Sequence, residues 1–141
     1  MAVLFVARSA MLADWASDVG LGKHVYKVGV TDEAPKAVVQ AGWAGLTDWA
    51  LVRSREVDGL SEATVLERLC VKLKMVDPGI YPKLKGTSGV FKLTLAMIEN
   101  HILIQKSLAN APNLALGKLK PADFGDFLIH NAVTDRSAGL G

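Results

Sequence analysis

Hydrophobic and polar residues follow two different spacings along the chain, and each spacing predicts a kind of element. Three segments carry the short apolar runs or the two-residue alternation of β-strands: residues 2–8, 24–30 and 49–57. Four segments carry apolar residues at the spacing of helices that pack on one side: residues 31–42, 61–75, 94–109 and 122–132. Residues 90–93 predict a short edge strand, and residues 10–22 fit either a helical turn or a loop.

The order of these segments, β-β-α-β-α-(β)-α-α, predicts an α+β domain with a small, mostly antiparallel sheet flanked by helices. Residues 1–109 form the core of this domain, and residues 110–141 add a linker, a short helix and a tail. Thr31 or Asp32 is the expected cap of the first long helix. The predicted buried faces of the helices are, in chain order, Ala34, Ala37, Val38 and Ala41; Leu66, Leu69, Cys70 and Leu73; Leu95, Ile98, Ile102 and Leu103; and Phe124, Phe127 and Leu128.

The composition is that of one globular domain. The chain has 141 residues, of which 50% are hydrophobic and 21% charged, so it can bury a core without cross-links. Its single cysteine, Cys70, has no partner within the chain, which favours a reducing cytoplasm. The histidines lie far apart without ligand spacing, and no apolar run approaches the roughly 18 residues that span a bilayer. We therefore expect neither a zinc site nor a membrane partner.

Charge is distributed unevenly along the chain. Residues 68–120 carry nine basic side chains against two acidic ones, whereas the segments on either side are net acidic. A basic region favours an anionic partner, most commonly nucleic acid, although a solvated lysine-rich surface fits the same pattern. The predicted phosphate contacts are Arg53, Arg55, Lys83 and Lys85. The two arginines could instead pair with acids such as Glu56 and Asp58, and the two lysines could belong to a surface loop.

The segment 25–31 is the strongest candidate for a functional strand. By the two-residue period, Tyr26 and Val28 share one face, while Lys27 and Gly29 share the other. A glycine exposes backbone to close approach, and the lysine beside it adds a positive charge. A lysine and a glycine on the same strand face are unusual for a strand that serves only the core.

Several short pieces of the chain then follow one another in a recognisable order. They are Tyr26-Lys27-Val28-Gly29-Val30-Thr31, Lys36 on the next helix, the strand 49–57, Leu66-Glu67-Arg68, and Val90-Phe91-Lys92-Leu93. Over about residues 2–105 this order resembles the GIY-YIG nuclease superfamily. The resemblance is greatest to its compact phage and bacterial branch, whose second strand reads Tyr-Lys-Ile-Gly-Val-Thr.

The resemblance implies roles for four residues. The first-strand tyrosine of the family falls at Phe5, the second-strand tyrosine at Lys27, and the helix arginine at or near Lys36. The carboxylate that holds a divalent metal, Mg²⁺ or Mn²⁺ in an active enzyme, falls at Glu67. Phe5 has no hydroxyl, and Lys27 can act as a base only if burial lowers its pKa well below about 10.4.

Two functional hypotheses follow from the resemblance. In the first, Lys27, Lys36 and Glu67 form a catalytic site, and the protein binds DNA and cleaves it with a metal ion. In the second, the site is degenerate and the protein is a non-enzymatic DNA-binding or protein-interaction subunit of an assembly. A third interpretation is an unrelated α+β domain. The nuclease hypothesis places the protein in the cytoplasm of a bacterial or phage-infected cell, and expects Glu67 and Lys36 to face Gly29 across one concave surface.

Overall fold

The computed structural model describes the chain over residues 2–43, 45–57, 59–81, 84, 87–108 and 119–133. Within these residues five strands form one sheet: β1 (Val3–Ser9), β2 (Val25–Thr31), β3 (Trp49–Glu56), β4 (Lys74–Met75) and β5 (Val90–Lys92). Five helices accompany them: α1 (Ala10–Asp18), α2 (Pro35–Ala41), α3 (Glu62–Cys70), α4 (Leu95–Leu108) and α5 (Pro121–Val133). The predicted α+β class is confirmed. None of the helices in the described ranges is long and apolar enough to cross a membrane.

The sheet is antiparallel throughout, with the strand order β3-β1-β2-β5-β4. The prediction that residues 90–93 form an edge strand is wrong, because β5 pairs with β2 on one side and with β4 on the other. The prediction of a helix over 61–75 is wrong at its end, since α3 stops at Cys70. Residues 74–75 pair with β5 instead, and the adjoining Val76 N–H donates to the Val90 carbonyl at 2.7 Å.

One face of the sheet packs against α3, α4 and α5. Leu4 and Val6 of β1 and Tyr26 and Val28 of β2 point to this side and belong to one hydrophobic cluster. The helices contribute Val65, Leu69, Ile98 and the predicted trio Phe124, Phe127 and Leu128. Helix α5 is therefore part of the core, although its apolar spacing alone shows only that one of its sides is buried.

The opposite face packs against α1 and α2. Phe5, Ala7 and Val25 belong to this second cluster, together with Leu12 and Ala16 of α1. The two-residue period of β2 is thus confirmed, with Tyr26 and Lys27 on opposite sides of the sheet. Both faces of the central strands are buried, which explains why the first five residues of β1 are all apolar.

Within residues 10–22, whose pattern fits either a helical turn or a loop, Ala10–Asp18 form the helix α1. The Ser9 hydroxyl caps it by accepting from the Leu12 N–H at 3.1 Å. Asp48 adds to this cap, because its carboxylate accepts from the Ser9 hydroxyl and from the Met11 N–H. The beginning of α1 is therefore fixed by a residue 39 positions away along the chain.

Two predicted helix faces and one predicted cap are wrong. In α2 the residue that enters the core is Val39, while Ala37 and Ala41 are exposed. The N-cap of α2 is Ala34, which makes no side-chain hydrogen bond, rather than Thr31 or Asp32. In α4 the prediction is wrong for Leu95 and Leu103, which are about half exposed, whereas Ile98 is buried and Ile102 packs against the core as predicted. In α3, Cys70 is exposed although it was predicted to be buried. Small or evenly spread apolar residues leave the rotation of a helix undetermined until its neighbours are in place.

Candidate functional site

A pocket of about 300 Å³ opens beside Lys27, on the α1–α2 side of the sheet. We call it the Lys27 pocket. Strands β1 and β2 form its floor, and α2, the start of α3 and the residues before β5 form its walls. It is lined by Phe5, Lys27, Val30, Thr31, Glu33, Val38, Trp43, Glu62, Thr87 and Ser88.

Lys27 is the buried cation of this pocket, with 5% of its surface exposed. Its Nζ donates to the Ser88 carbonyl at 2.7 Å and to the Val28 carbonyl at 3.3 Å. It also lies 5.3 Å from the centre of the Trp43 ring, within the range of a cation–π contact. Burial lowers the pKa of Lys27, and the negative charge of Glu62 opposes that shift. The two carbonyls and the ring replace part of the hydration that the ammonium loses.

Phe5 and Gly29 lie directly opposite each other on β1 and β2. A Cβ atom on Gly29 would lie 2.7 Å from Phe5 Cζ and 2.8 Å from Glu62 Oε1. Phe5 in turn stacks on Trp43, with ring centres 5.7 Å apart. The glycine is therefore required by the neighbouring ring and carboxylate, and the space above it is already occupied by side chains of this chain.

Glu62 is one of two acidic residues that line the pocket, with Glu33, and neither was among the predicted site residues. It is the first residue of α3, directly after the Ser61 cap. Its Oε1 accepts from the Val30 N–H at 3.1 Å, which joins the start of α3 to the end of β2. The Ser61 cap places Glu62 in the first turn of a helix, but nothing local indicates that this turn lies over β2.

Glu67 and Lys36 lie outside this pocket. Both side chains are exposed, and neither is among the residues that line the Lys27 pocket. Helix α3 buries Val65 and Leu69, and positions two residues away on a helix point to the opposite side. Glu67 therefore faces away from the core, so the expected surface shared by Glu67, Lys36 and Gly29 is not formed.

The predicted phosphate contacts are also separated. A bulge between Val6 and Ala7 shifts the register of β3, so that both Val52 and Arg53 contact α5 at Gly125. Arg53 Nε lies 2.9 Å from Asp126 Oδ1, in an exposed ion pair with an acid that differs from the two proposed. Arg55 is exposed on β3. Lys83 and Lys85 lie outside the described residues.

Oxygen donors for a hard cation are present in the Lys27 pocket rather than at Glu67. Among the described residues, no group of three or more His, Cys, Asp or Glu side chains could hold a metal ion. The pocket does contain the carboxylates of Glu33 and Glu62 and the hydroxyl of Thr31. Mg²⁺ is commonly held by one or two carboxylates, with water and substrate phosphate as the other ligands. These are the donor types that a Mg²⁺ or Mn²⁺ ion accepts.

Comparisons with protein-family models, curated proteins and solved structures gave no match to this chain. The resemblance to GIY-YIG nucleases therefore stays a prediction from the sequence. What the protein does has to be inferred from the chemistry of its own pockets.

Proposed function

We propose that the protein is a GIY-YIG-like nucleic-acid-binding protein whose Lys27 pocket receives a phosphodiester group. The observation that carries this proposal is the convergence of Phe5, Lys27 and Glu62 at one pocket, with Gly29 beneath the Phe5 ring. Phe5 and Lys27 are the positions that the family resemblance implies to lie near the attacking water. The antiparallel order β3-β1-β2 supports the proposal, because it brings the first and second strands together side by side.

Lys27 supplies the positive charge in this proposal. An ammonium has three N–H donors, and two of them are engaged by the Ser88 and Val28 carbonyls. The third can serve a phosphate oxygen. The Thr31 hydroxyl on the same wall is a second donor.

The two carboxylates of the pocket work against a bare phosphate. Glu33 and Glu62 carry two negative charges against the single positive charge of Lys27. Because like charges repel, a phosphate is expected to enter this pocket together with a cation. The nucleic-acid affinity of the pocket should therefore increase when Mg²⁺ is added.

Metal-dependent cleavage is the second candidate function, and the Glu62 carboxylate beside Lys27 is the observation that favours it. Glu62, with Glu33 nearby, would hold the metal, which would stabilise negative charge on the leaving oxygen when bound. Phe5 offers no hydroxyl, so we assign Lys27 the role of accepting a proton from an attacking water, while Glu62 and Glu33 serve the metal. Burial lowers the pKa of Lys27, which is the direction that a base acting near neutral pH requires.

Plasmid and labelled duplex DNA, incubated with the protein in Mg²⁺, Mn²⁺ or EDTA, test both candidates. The variants are Lys27→Met, Glu62→Gln and, as a matched control on the exposed side of α3, Glu67→Gln. If the protein cleaves, we expect Lys27→Met to lose about 100-fold or more of the rate, as removal of a general base does. Glu62→Gln should lose the metal-dependent activity, while Glu67→Gln retains it.

The outcomes separate the hypotheses. Binding without cleavage would leave a non-enzymatic nucleic-acid-binding protein. Cleavage that depends on Glu67 and not on Glu62 would contradict the assignment of the pocket. A wild-type protein that binds neither DNA nor RNA at low salt would refute the proposed function and favour a role in protein assembly.

A further inference from the structure

We propose that the main contact with nucleic-acid phosphates is a second surface, at the other end of β2 from the Lys27 pocket. This inference rests on the proposed function and identifies where the strand of nucleic acid is held. We call the surface the basic surface, and define it by Arg8, Lys23, His24, Lys74 and Lys92. None of these residues was among the predicted contacts.

The first part of the basic surface is a pocket of about 310 Å³ where β1 ends and β2 begins. Arg8, Lys23 and His24 line it, and Asp14 is the one carboxylate among its described lining residues. The Arg8 side chain lies close enough to the Tyr26 hydroxyl for its positive charge to oppose the rise in the pKa of Tyr26 that burial causes. Tyr26 is buried in the core, whereas Arg8 is exposed at the mouth of the pocket.

A second pocket of about 360 Å³ adjoins the first, since His24 lines both. The loop Gly20–Gly22, Lys92 and Thr94 form its other walls. The His24 ring stacks on Phe124, with ring centres 4.9 Å apart, which holds it between the two pockets. Burial lowers the pKa of His24, and the positive charge of Lys23 lowers it further.

Lys92 and Lys74 extend this surface across the last two strands. They are direct partners in the β5–β4 ladder, so the backbone brings two ammonium stems to the same face about 5 Å apart. Like charges at directly opposite positions destabilise a sheet. Neither lysine has an ion-pair partner within the part of the chain that the structure describes. An anion that binds between them would remove this repulsion.

The charge balance decides between the two sites. The basic surface combines four permanently cationic side chains with Asp14 as the carboxylate lining its pockets, whereas the Lys27 pocket has one cation and two carboxylates. The residues of the basic surface lie at one end of the sheet, where β1 and β5 end and β2 and β4 begin. Arg8 is on the face of Tyr26, whereas Lys74 and Lys92 are on the opposite face, that of Val25. Four neighbouring strands span about 14 Å, which is longer than a single phosphate group. The surface therefore fits a chain of phosphates, as in nucleic acid, better than one small anion.

Fluorescence anisotropy with a labelled 20-nucleotide DNA strand and the matching duplex, titrated with KCl, tests the inference. Lys74→Gln/Lys92→Gln removes two charges from the basic surface. The matched control, Lys72→Gln/Lys120→Gln, removes two charges from exposed positions that line neither pocket. Thermal melting of each variant verifies that it is folded.

We expect Lys74→Gln/Lys92→Gln to weaken binding and to reduce the slope of log K against log[KCl] by about two, because each lost phosphate contact reduces it by about one. The control should keep the wild-type slope. Wild-type binding with an unchanged slope in Lys74→Gln/Lys92→Gln, or equal losses in both double variants, would overturn this inference and leave the proposed function standing. No binding by the wild type would overturn both.

Discussion

The replacement of Gly29 by alanine tests the packing of the Lys27 pocket directly. The added Cβ would lie 2.7 Å from Phe5 Cζ and 2.9 Å from Phe5 Cε1. Non-bonded carbon atoms normally approach to about 3.5–4.0 Å, so the overlap is large. The backbone poses no obstacle, since Gly29 is not among the glycines with positive φ. Any loss of stability must therefore come from the clash with the side chains above it.

The size of the effect follows from how firmly the Phe5 ring is held. Phe5 is 2% exposed and stacks on Trp43, so it cannot swing into solvent. Overpacking of a dense core costs about 1–3 kcal/mol, whereas a glycine-to-alanine change returns about 0.4–1 kcal/mol by restricting the unfolded chain. We expect Gly29→Ala to lower the free energy of unfolding by about 1–2 kcal/mol. For a chain of 141 residues this corresponds to a Tm lower by about 3–8 °C.

The assay is urea unfolding followed by tryptophan fluorescence, in a double-mutant cycle with Phe5→Leu. Leucine has no atoms at the positions of Cζ and Cε1, so in that background only the contact with Glu62 Oε1 at 2.8 Å remains and Gly29→Ala should cost less. The expected coupling between the two sites is about 1 kcal/mol or more. An equal cost of Gly29→Ala in both backgrounds would refute the claim that the ring is what requires glycine.

Two further predictions concern the pH dependence of stability. Because burial lowers the pKa of Lys27, the unfolded chain binds more protons between that lowered pKa and the usual 10.5, and the free energy of unfolding should rise with pH in this window. Urea titrations between about pH 8 and 10 should show a smaller rise in the free energy of unfolding for Lys27→Met than for the wild type. Equal slopes against pH in the two proteins would contradict the prediction. At higher pH the raised pKa of Tyr26 acts in the opposite direction. Asp48 accepts from the Ser9 hydroxyl and the Met11 N–H, which lower its pKa, so its stabilising contribution is present above its usual 3.8 and is lost as the pH falls through the lowered folded value. Asp48→Ala should cost about 1 kcal/mol at pH 7, as the loss of a helix cap does, and a difference from wild type that persists undiminished at the lowest pH would be evidence against this cap.

Local sequence patterns correctly predicted which residues of β2 and α5 lie on the same face. The alternation along β2 correctly assigned Tyr26 and Lys27 to opposite faces. The spacing in α5 correctly identified Phe124, Phe127 and Leu128 as buried. These assignments need only the twofold period of a strand and the 3.6-residue period of a helix.

Local periodicity did not predict three features: the buried side of α2, the end of α3 and the bulge in β3. Each depends on contacts with another part of the chain. The apolar spacing of α3 continues to Leu73, which predicts a helix to about residue 75. Residues 74–75 are nevertheless a strand, because they pair with β5. Val52 and Arg53 lie on one side of β3 because of a register shift against β1. In each case the deciding hydrogen bonds join segments that are distant in sequence.

The candidate sites divide in the same way. The sequence by itself determined that Lys27 and Gly29 share one face, because the two-residue period of a strand requires it. The register of β1 against β2 in the structure places Phe5 opposite Gly29. Only the tertiary structure decided that Glu62 rather than Glu67 joins them, because the choice depends on how α3 is oriented over β2. The pairing of Lys74 with Lys92 in the basic surface likewise depends on which strands meet in the sheet.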